Sequence, residues 1–156
     1  MQHLKTLGLA AVVSVMGSAS LAENIVASDP GVLLSFFLDQ GISAELTKDD
    51  YGDPKIDVRY YGTKFEIYYY GCNNGENCRA IQFFSGYQTN GSISLEQINS
   101  WNTTKRYAKA YLSKELSARI EYDVLLGNVG MSKEDFDSVF SLWTRSMENF
   151  EKFIDR

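Results

Sequence analysis

One histidine, two cysteines and two prolines are all that 156 residues contain of these types, and each scarcity excludes something. His3 is the single imidazole, so beyond position 3 the chain has no residue for a Ser-His-Asp triad, a Cys-His pair, a histidine metal site or a histidine general base. There is no Gly-x4-Gly-Lys phosphate loop and no glycine fingerprint behind a strand, which removes the familiar nucleotide sites. Basic residues are outnumbered, 15 Lys and Arg against 20 Asp and Glu, for a net charge of −5. The nearest thing to a basic stripe is Lys105, Arg106 and Lys109, which reads as a solvated corner between a helix and a strand, and no nucleic-acid partner is expected. Low-complexity tracts are missing. Past residue 22 no stretch is apolar for long enough to cross a bilayer.

What is present begins with an address. Met1 to Ala22 has a short n-region with Lys5, an apolar run from Leu7 to Met16, and small residues ahead of a cut after Ala22, with Ser20 three positions before the cut. This is the pattern of a cleaved secretory signal peptide, and Ser14, Gly17, Ser18 and Ser20 interrupt it too often for a membrane anchor. No cysteine follows the cut, so no lipid anchor is indicated. The expected organisation is a signal peptide over 1–22, a loose lead-in over 23–28 and a single domain over 29–156, in the periplasm or secreted. Losing Lys5 leaves 14 Lys and Arg against 20 Asp and Glu, a net charge of −6.

In an oxidising compartment Cys72 and Cys78, with five residues between them, are expected to form a disulfide across a polar turn. So small a ring contributes only ~2 kcal/mol by chain entropy. The rival reading, a redox or metal pair, has neither the thioredoxin spacing nor further ligands beside it.

The centre of the chain is Arg79 to Leu112, which reads as strand, capped helix, strand. Ile81, Phe83, Ser85 and Tyr87 alternate with Ala80, Gln82, Phe84 and Gly86, as in a strand with both faces largely covered. Ser94 and Gln97 form a capping box, with Ile93 and Ile98 as its hydrophobic staple. Asn102-Thr103-Thr104 should end that helix. Upstream, Asp29 and Pro30 open a helix that Gly41 stops. Leu33, Phe36, Phe37 and Gln40 make one face of it and Leu34 and Leu38 another, so it is either buried on both sides, the preferred reading, or holds surface for a partner. A strand over 42–47 leads to an Asp-rich turn whose spacing does not fit a calcium loop. Lys55 to Tyr70 is a hairpin, its expected turn a type II′ at Gly62-Thr63, which sets Tyr60 against Phe65, Val58 against Ile67, and Arg59 against Glu66. By parity Tyr69 points to the core while Tyr68 and Tyr70 point away, a peptide or carbohydrate platform or simply good strand residues. Ala118 to Leu126 alternates as a half-buried strand. Ser132 then caps a last helix with Phe136, Val139, Phe140, Trp143, Met147, Phe150 and Ile154 on one face.

The expected fold is α+β, an antiparallel sheet with helices on one face, in the order α-β-β-β-β-α-β-β-α. Gly71-Cys72, Cys78-Arg79-Ala80-Ile81-Gln82-Phe83, Gly86-Tyr87, Leu95-Glu96-Gln97-Ile98-Asn99, Trp101-Asn102, Lys105-Arg106, Ala110-Tyr111-Leu112 and Asp123-Val124 resemble the YbjN-type bacterial domain. That resemblance runs through most of the chain after about Ile25. It implies a fold similar to the type III secretion chaperones and a label as sensory transduction regulator, and none of its motifs is catalytic.

From all this the expected function is an exported, non-enzymatic protein-binding or chaperone-like module without a cofactor. Its partner would be a protein or peptide segment, held by the apolar surplus Leu34 and Leu38 or by the outward tyrosines Tyr61, Tyr68 and Tyr70. Two other classes stand beside it: a periplasmic hydrolase using carboxylates such as Glu66, Glu121 and Asp123, and a self-associating structural domain, a homodimer for instance. Thiol titration of the unreduced protein should find no free thiol, and finding two would overturn both the pairing and the compartment it rests on.

Overall fold

The computed structural model describes residues 24–155, so the signal peptide expected over 1–22 lies outside the described residues. The elements are α1 (Pro30–Asp39), β1 (Ser43–Lys48), β2 (Pro54–Tyr60), β3 (Thr63–Tyr70), β4 (Ala80–Tyr87), α2 (Leu95–Thr104), β5 (Lys109–Leu112), β6 (Ala118–Leu125) and α3 (Lys133–Phe153). This is the expected α+β order. The six strands form one antiparallel sheet, ordered β1-β2-β3-β4-β6-β5. Because β4 and β5 both run antiparallel to β6, they are parallel to each other, and α2 supplies the crossover that a parallel pair needs.

The helix ends follow their capping residues. Asp29 Oδ1 accepts from the Gly31 amide at 2.9 Å ahead of Pro30. Both halves of the Ser94–Gln97 capping box are made, at 2.8 and 3.2 Å, with Ile93 and Ile98 buried beneath. At α3 the Ser132 hydroxyl accepts from the Asp135 amide at 3.0 Å, while the shorter Asp135 carboxylate accepts from that hydroxyl at 2.8 Å. A Glu would have reached back to the backbone.

All three helices lie on one face of the sheet. The α3 row expected to face the strands does so: Trp143 stacks on Phe83 at 5.4 Å, and Phe140 and Phe150 meet Phe65 and Tyr87 at 6.1 and 5.8 Å. Phe37 of α1 reaches Phe65 and Phe140, and Trp101 of α2 packs on Phe150 at 4.9 Å. Phe36, Phe37, Phe65, Phe83, Phe136, Trp143 and Phe150 are all buried.

Four local expectations change. The hairpin turn is one residue earlier: Tyr60 pairs with Thr63, Val58 with Phe65, Ile56 with Ile67, and Arg59 with Lys64. Tyr61 (φ 46°) and Gly62 (φ 88°) are both left-handed, the condition of a type I′ turn, which like type II′ matches the twist of the strands. Apolar alternation could not separate the two registers, since a two-residue shift in pairing leaves every side chain on its own face. Second, residues 24–28 are not loose. Ile25 exchanges two backbone hydrogen bonds with Met131, at 2.9 and 3.1 Å, and Ile25 and Ala27 are fully buried. Gly130 (φ 70°) makes that docking possible, because a Cβ there would stand 2.1 Å from the Ile25 carbonyl oxygen. Third, the second flank of α1 is not buried: Leu34 is half-buried and Leu38 is 50 % exposed. Fourth, only one face of β4 is covered by another layer, and Gln82 and Phe84 on the other face meet only neighbours within the sheet.

Cys72 and Cys78 are joined as expected. Inside the ring, Asn73 and Glu76 exchange backbone hydrogen bonds at 2.7 and 3.1 Å around a left-handed Asn74-Gly75 pair, so the disulfide closes a miniature hairpin. In the Asp-rich turn, Asp49 Oδ1 accepts from the amides of Tyr51 and Asp53, both at 2.9 Å, and so organises its own loop.

Tyr61→Asn places at the first left-handed position of the turn the residue type that tolerates it best, and should stabilise the protein by about 0.5–1 kcal/mol in urea unfolding. A lower midpoint would mean that the edge contact of Tyr61 with Tyr60 outweighs the backbone strain.

Candidate functional site

The sheet face away from the helices carries no second layer among the described residues. Its side chains are the alternate residues of each strand, and the register lays them out in rows. Arg59 lies opposite Lys64, Gly86 opposite Arg119, and Arg119 opposite Tyr111, which together form a row of cations across the sheet. The next row is acidic: Glu45, Asp57, Glu66, Phe84 and Glu121, ending at Lys109. Lys55, Tyr68, Gln82 and Asp123 form the third.

Asp57, Glu66, Glu121 and Asp123 are neutralised from within the face, whereas the exposed Glu45 has no ion pair among the described residues. Lys55 Nζ bridges Asp57 at 2.9 Å and Glu66 at 3.3 Å, which relieves two carboxylates set directly opposite each other. The Tyr68 hydroxyl donates to Glu66 at 2.7 Å, and Thr47 donates to Asp57 at 3.1 Å. On the other flank, Lys109 Nζ bridges Asp123 at 2.9 Å and Glu121 at 3.3 Å. Gln82 Nε2 donates to Asp123 at 2.6 Å and to Glu121 at 3.3 Å, its Oε1 accepts from Tyr70, and the Tyr111 hydroxyl donates to Glu121.

The titrations follow these contacts. Burial alone would raise the Asp123 carboxyl, but the bonds from Lys109 and Gln82 outweigh it and hold that group below the usual range. Lys109 is raised, chiefly by its bond to Asp123. Lys55 is raised because Asp57 and Glu66 more than offset the burial that would lower it. Burial, then Glu66, pushes Tyr68 well up.

The cationic row is different. Arg119 lies over the rings of Phe84 and Tyr111, 5.8 and 5.9 Å from their centroids. Arg59 and Lys64 are exposed, directly opposite each other, and have no side-chain hydrogen bond or ion pair among the described residues. Lys64, Phe84 and Gly86 border a hollow of about 200 Å³ between the strands. Two juxtaposed cations without an ion pair make this end of the face receptive to carboxylates.

The five residues singled out in the sequence fall in three places. Tyr68 and Tyr70 are on the outer face, Tyr68 half-buried in the network and Tyr70 47 % exposed. Tyr61 is at the hairpin tip, 93 % exposed, its ring 4.6 Å from that of Tyr60. It stands between two clefts of about 500 and 410 Å³ against α3. Leu34 and Leu38 are on α1. Arg59, Lys64, Phe84 and Arg119 were not singled out. The parity of β4 would have placed Phe84 outward, whereas the expected pairing of Arg59 with Glu66 concealed the two facing cations.

For acid–base chemistry the arrangement is unfavourable. Glu121 and Asp123 share the face but are joined through Gln82 and Lys109, and Asp123 is shifted opposite to the direction a general acid needs. Among the described residues no group of three or more His, Cys, Asp or Glu is placed to hold a metal ion.

Asp123, depressed when folded, adds stability that is present above about pH 4 and lost as the pH falls through its folded value. Lys55, Lys109 and Tyr68, all raised, add stability that is complete below about pH 10 and lost as the pH rises further. Urea midpoints should therefore decline at both ends, and Lys109→Met should flatten the acid limb and part of the alkaline one. A wild-type midpoint that stays level past about pH 11 would contradict the network.

A family model, YbjN, described as "Putative bacterial sensory transduction regulator", matches residues 29–156. No curated protein matches the chain.

Proposed function

The chain belongs to the YbjN family, and on that premise we propose that it is a non-enzymatic binding module of a sensory pathway whose open sheet face receives an acidic segment of a partner protein. The observation that carries this reading is the pair Arg59 and Lys64, exposed, opposed and without an ion pair among the described residues, at the end of a face on which Lys55 and Lys109 already neutralise Asp57, Glu66, Glu121 and Asp123. Phe84 and Tyr111, with Arg119 over their rings, supply apolar area beside the cations. An extended segment lying along the row would place carboxylates on Arg59 and Lys64 and a small apolar side chain over Gly86, in the manner of a chaperone holding a client.

The compartment is part of the proposal. The Cys72–Cys78 disulfide and the secretory pattern of residues 1–22 both support export, since such bonds persist where thiols are oxidised. A carboxylate hydrolase is the weaker reading, because Asp123 is held in its charged form by a lysine and an amide.

A peptide repeating Glu-Ser-Glu-Ser-Val-Ser is a suitable probe, since its glutamates and valine share one face of the extended chain. It should bind with an affinity that falls as salt is added, and the double variant Arg59→Glu/Lys64→Glu should bind it at least ~10-fold more weakly with an unchanged far-UV spectrum. Equal binding by variant and wild type, or preference for the same peptide with lysine in place of each glutamate, would sink the reading.

A further inference from the structure

The sheet has two edges, and the chain treats them differently. At β5, Asn102 does what a neighbouring strand would do: its Nδ2 donates to the Ala110 carbonyl at 2.9 Å and its Oδ1 accepts from the Ala110 amide at 2.8 Å. No described side chain does this for β1.

Which β1 groups are free follows from the hairpin. Tyr60 and Thr63 flank a two-residue turn and form a hydrogen-bonded pair, so the even-numbered residues of β2 bond to β3 and Lys55, Asp57 and Arg59 bond to β1. Their partners Thr47, Glu45 and Ser43 turn their amides inward, which leaves those of Ala44, Leu46 and Lys48 pointing out of the sheet. The bond from the Asp49 amide to the Asp53 carbonyl, at 2.9 Å, obeys the same parity.

An apolar strip runs beside these free groups. Leu46, on the helix side of β1, is 42 % exposed. Above it lies α1, with Phe36 turned towards α3 and 5.0 Å from Phe136. At 3.6 residues per turn, Leu34 and Leu38 project from the opposite flank, the side of the free edge. Short edge strands are usually guarded by prolines, bulges or inward charges. Here only Lys48, at the end of the strand, is charged on the helix side.

We propose that a second copy of this chain adds to that edge, β1 to β1 and antiparallel, about a two-fold axis through Leu46. Matching outward amides requires even residues to meet even residues. A register that sets Ala44 against Leu46 of the other copy would also set Glu45 against Glu45, a like-charge pair. The Leu46-centred register avoids this: Leu46 meets Leu46, Glu45 meets Thr47, and Lys48 comes opposite Ala44. The chain reverses directly after α1, with the Ile42 amide bonded to the Phe37 carbonyl, so Ala44 lies beneath the C-terminal end of that helix. The last turn of α1 carries no basic residue, and Lys48 of the second copy supplies the cation its dipole favours. Leu34 and Leu38 then face their counterparts across the axis. The strand thus satisfies its own edge in hydrogen bonds, apolar contact and charge, which is what an isologous interface demands.

Sedimentation equilibrium of the purified protein should show a dimer. Mild oxidation of Leu46→Cys should give a covalent dimer, since directly opposed hydrogen-bonded residues stand about 5.5 Å apart at Cα, within disulfide reach. Glu45→Cys, diagonal to its own copy, should not cross-link. Ala44→Pro removes an outward amide that the β1–β2 ladder does not use, and should give a monomer with an unchanged far-UV spectrum. Leu46→Lys should weaken association at least ~10-fold by bringing two unpaired ammonium groups to the axis. Cross-linking through position 45 instead of 46, or a dimer that survives both Ala44→Pro and Leu46→Lys, would overturn the proposal. So would an unsubstituted monomer, whether the amides of Ala44 and Leu46 exchange freely or are covered by another part of the chain.

Discussion

Trp143 lying flat on Phe83, 5.4 Å between centroids and 25° between planes, is the contact through which the long terminal helix is seated on the middle of the sheet. Phe65 and Phe140 extend the seam towards β2 and α1, and Phe150 extends it towards Tyr87 and Trp101. The two shorter helices are placed by that row as much as by the strands: α1 through Phe36 and Phe37 on Phe140, α2 through Trp101 on Phe150. Rings of this size fill the space with few side chains, and each buries a large area. The arrangement has a cost. The Trp143 indole nitrogen and the Tyr69 hydroxyl are buried without a hydrogen-bond partner among the described residues.

Placing every helix on one side leaves the other side of the sheet to maintain itself. It does so with cross-strand ion pairs and hydrogen bonds, Lys55 spanning β2 and β3 and Gln82 spanning β4 and β6, so that polar stitching takes the place of a second apolar layer. Such exposed pairs contribute little individually, but each fixes which residue stands opposite which. That ordering separates the matched carboxylates Asp57, Glu66, Glu121 and Asp123 from the unmatched cations Arg59 and Lys64, and the distinction exists only because neighbouring strands are locked in register.

Adjacent residues carried the local signals. Asp29-Pro30, Ser94 with Gln97, and Ser132 with Asp135 mark helix starts because a cap and its target amide lie within three residues of one another. The row Phe136 to Ile154 announces its buried face because helical periodicity is a property of the helix alone. The hairpin shows where this stops. Both candidate turns keep Ile56, Val58 and Tyr60 inward, and the choice between them depended on whether Tyr61 would accept a left-handed backbone. Likewise Gly130 reads as a breaker in sequence, while its function, letting Ile25 approach, involves a segment more than a hundred residues away.

The amino-acid sequence by itself determined the element order, the inward face of the β2–β3 hairpin, β6 and α3, the disulfide partners and the shortage of proton-transfer groups, since each depends on residue type and short-range spacing. Tertiary structure alone decided that β6 inserts between β4 and β5, that Arg59 faces Lys64, that Tyr61 stands apart from Tyr68 and Tyr70, and that Asn102 caps one edge while no described side chain caps the other. Those outcomes depend on long-range pairing, in which several registers bury the same apolar surface and the selection falls to turn geometry and the fit of rings between layers, which in the β2–β3 hairpin override the opposite-charge pairing of Arg59 with Glu66.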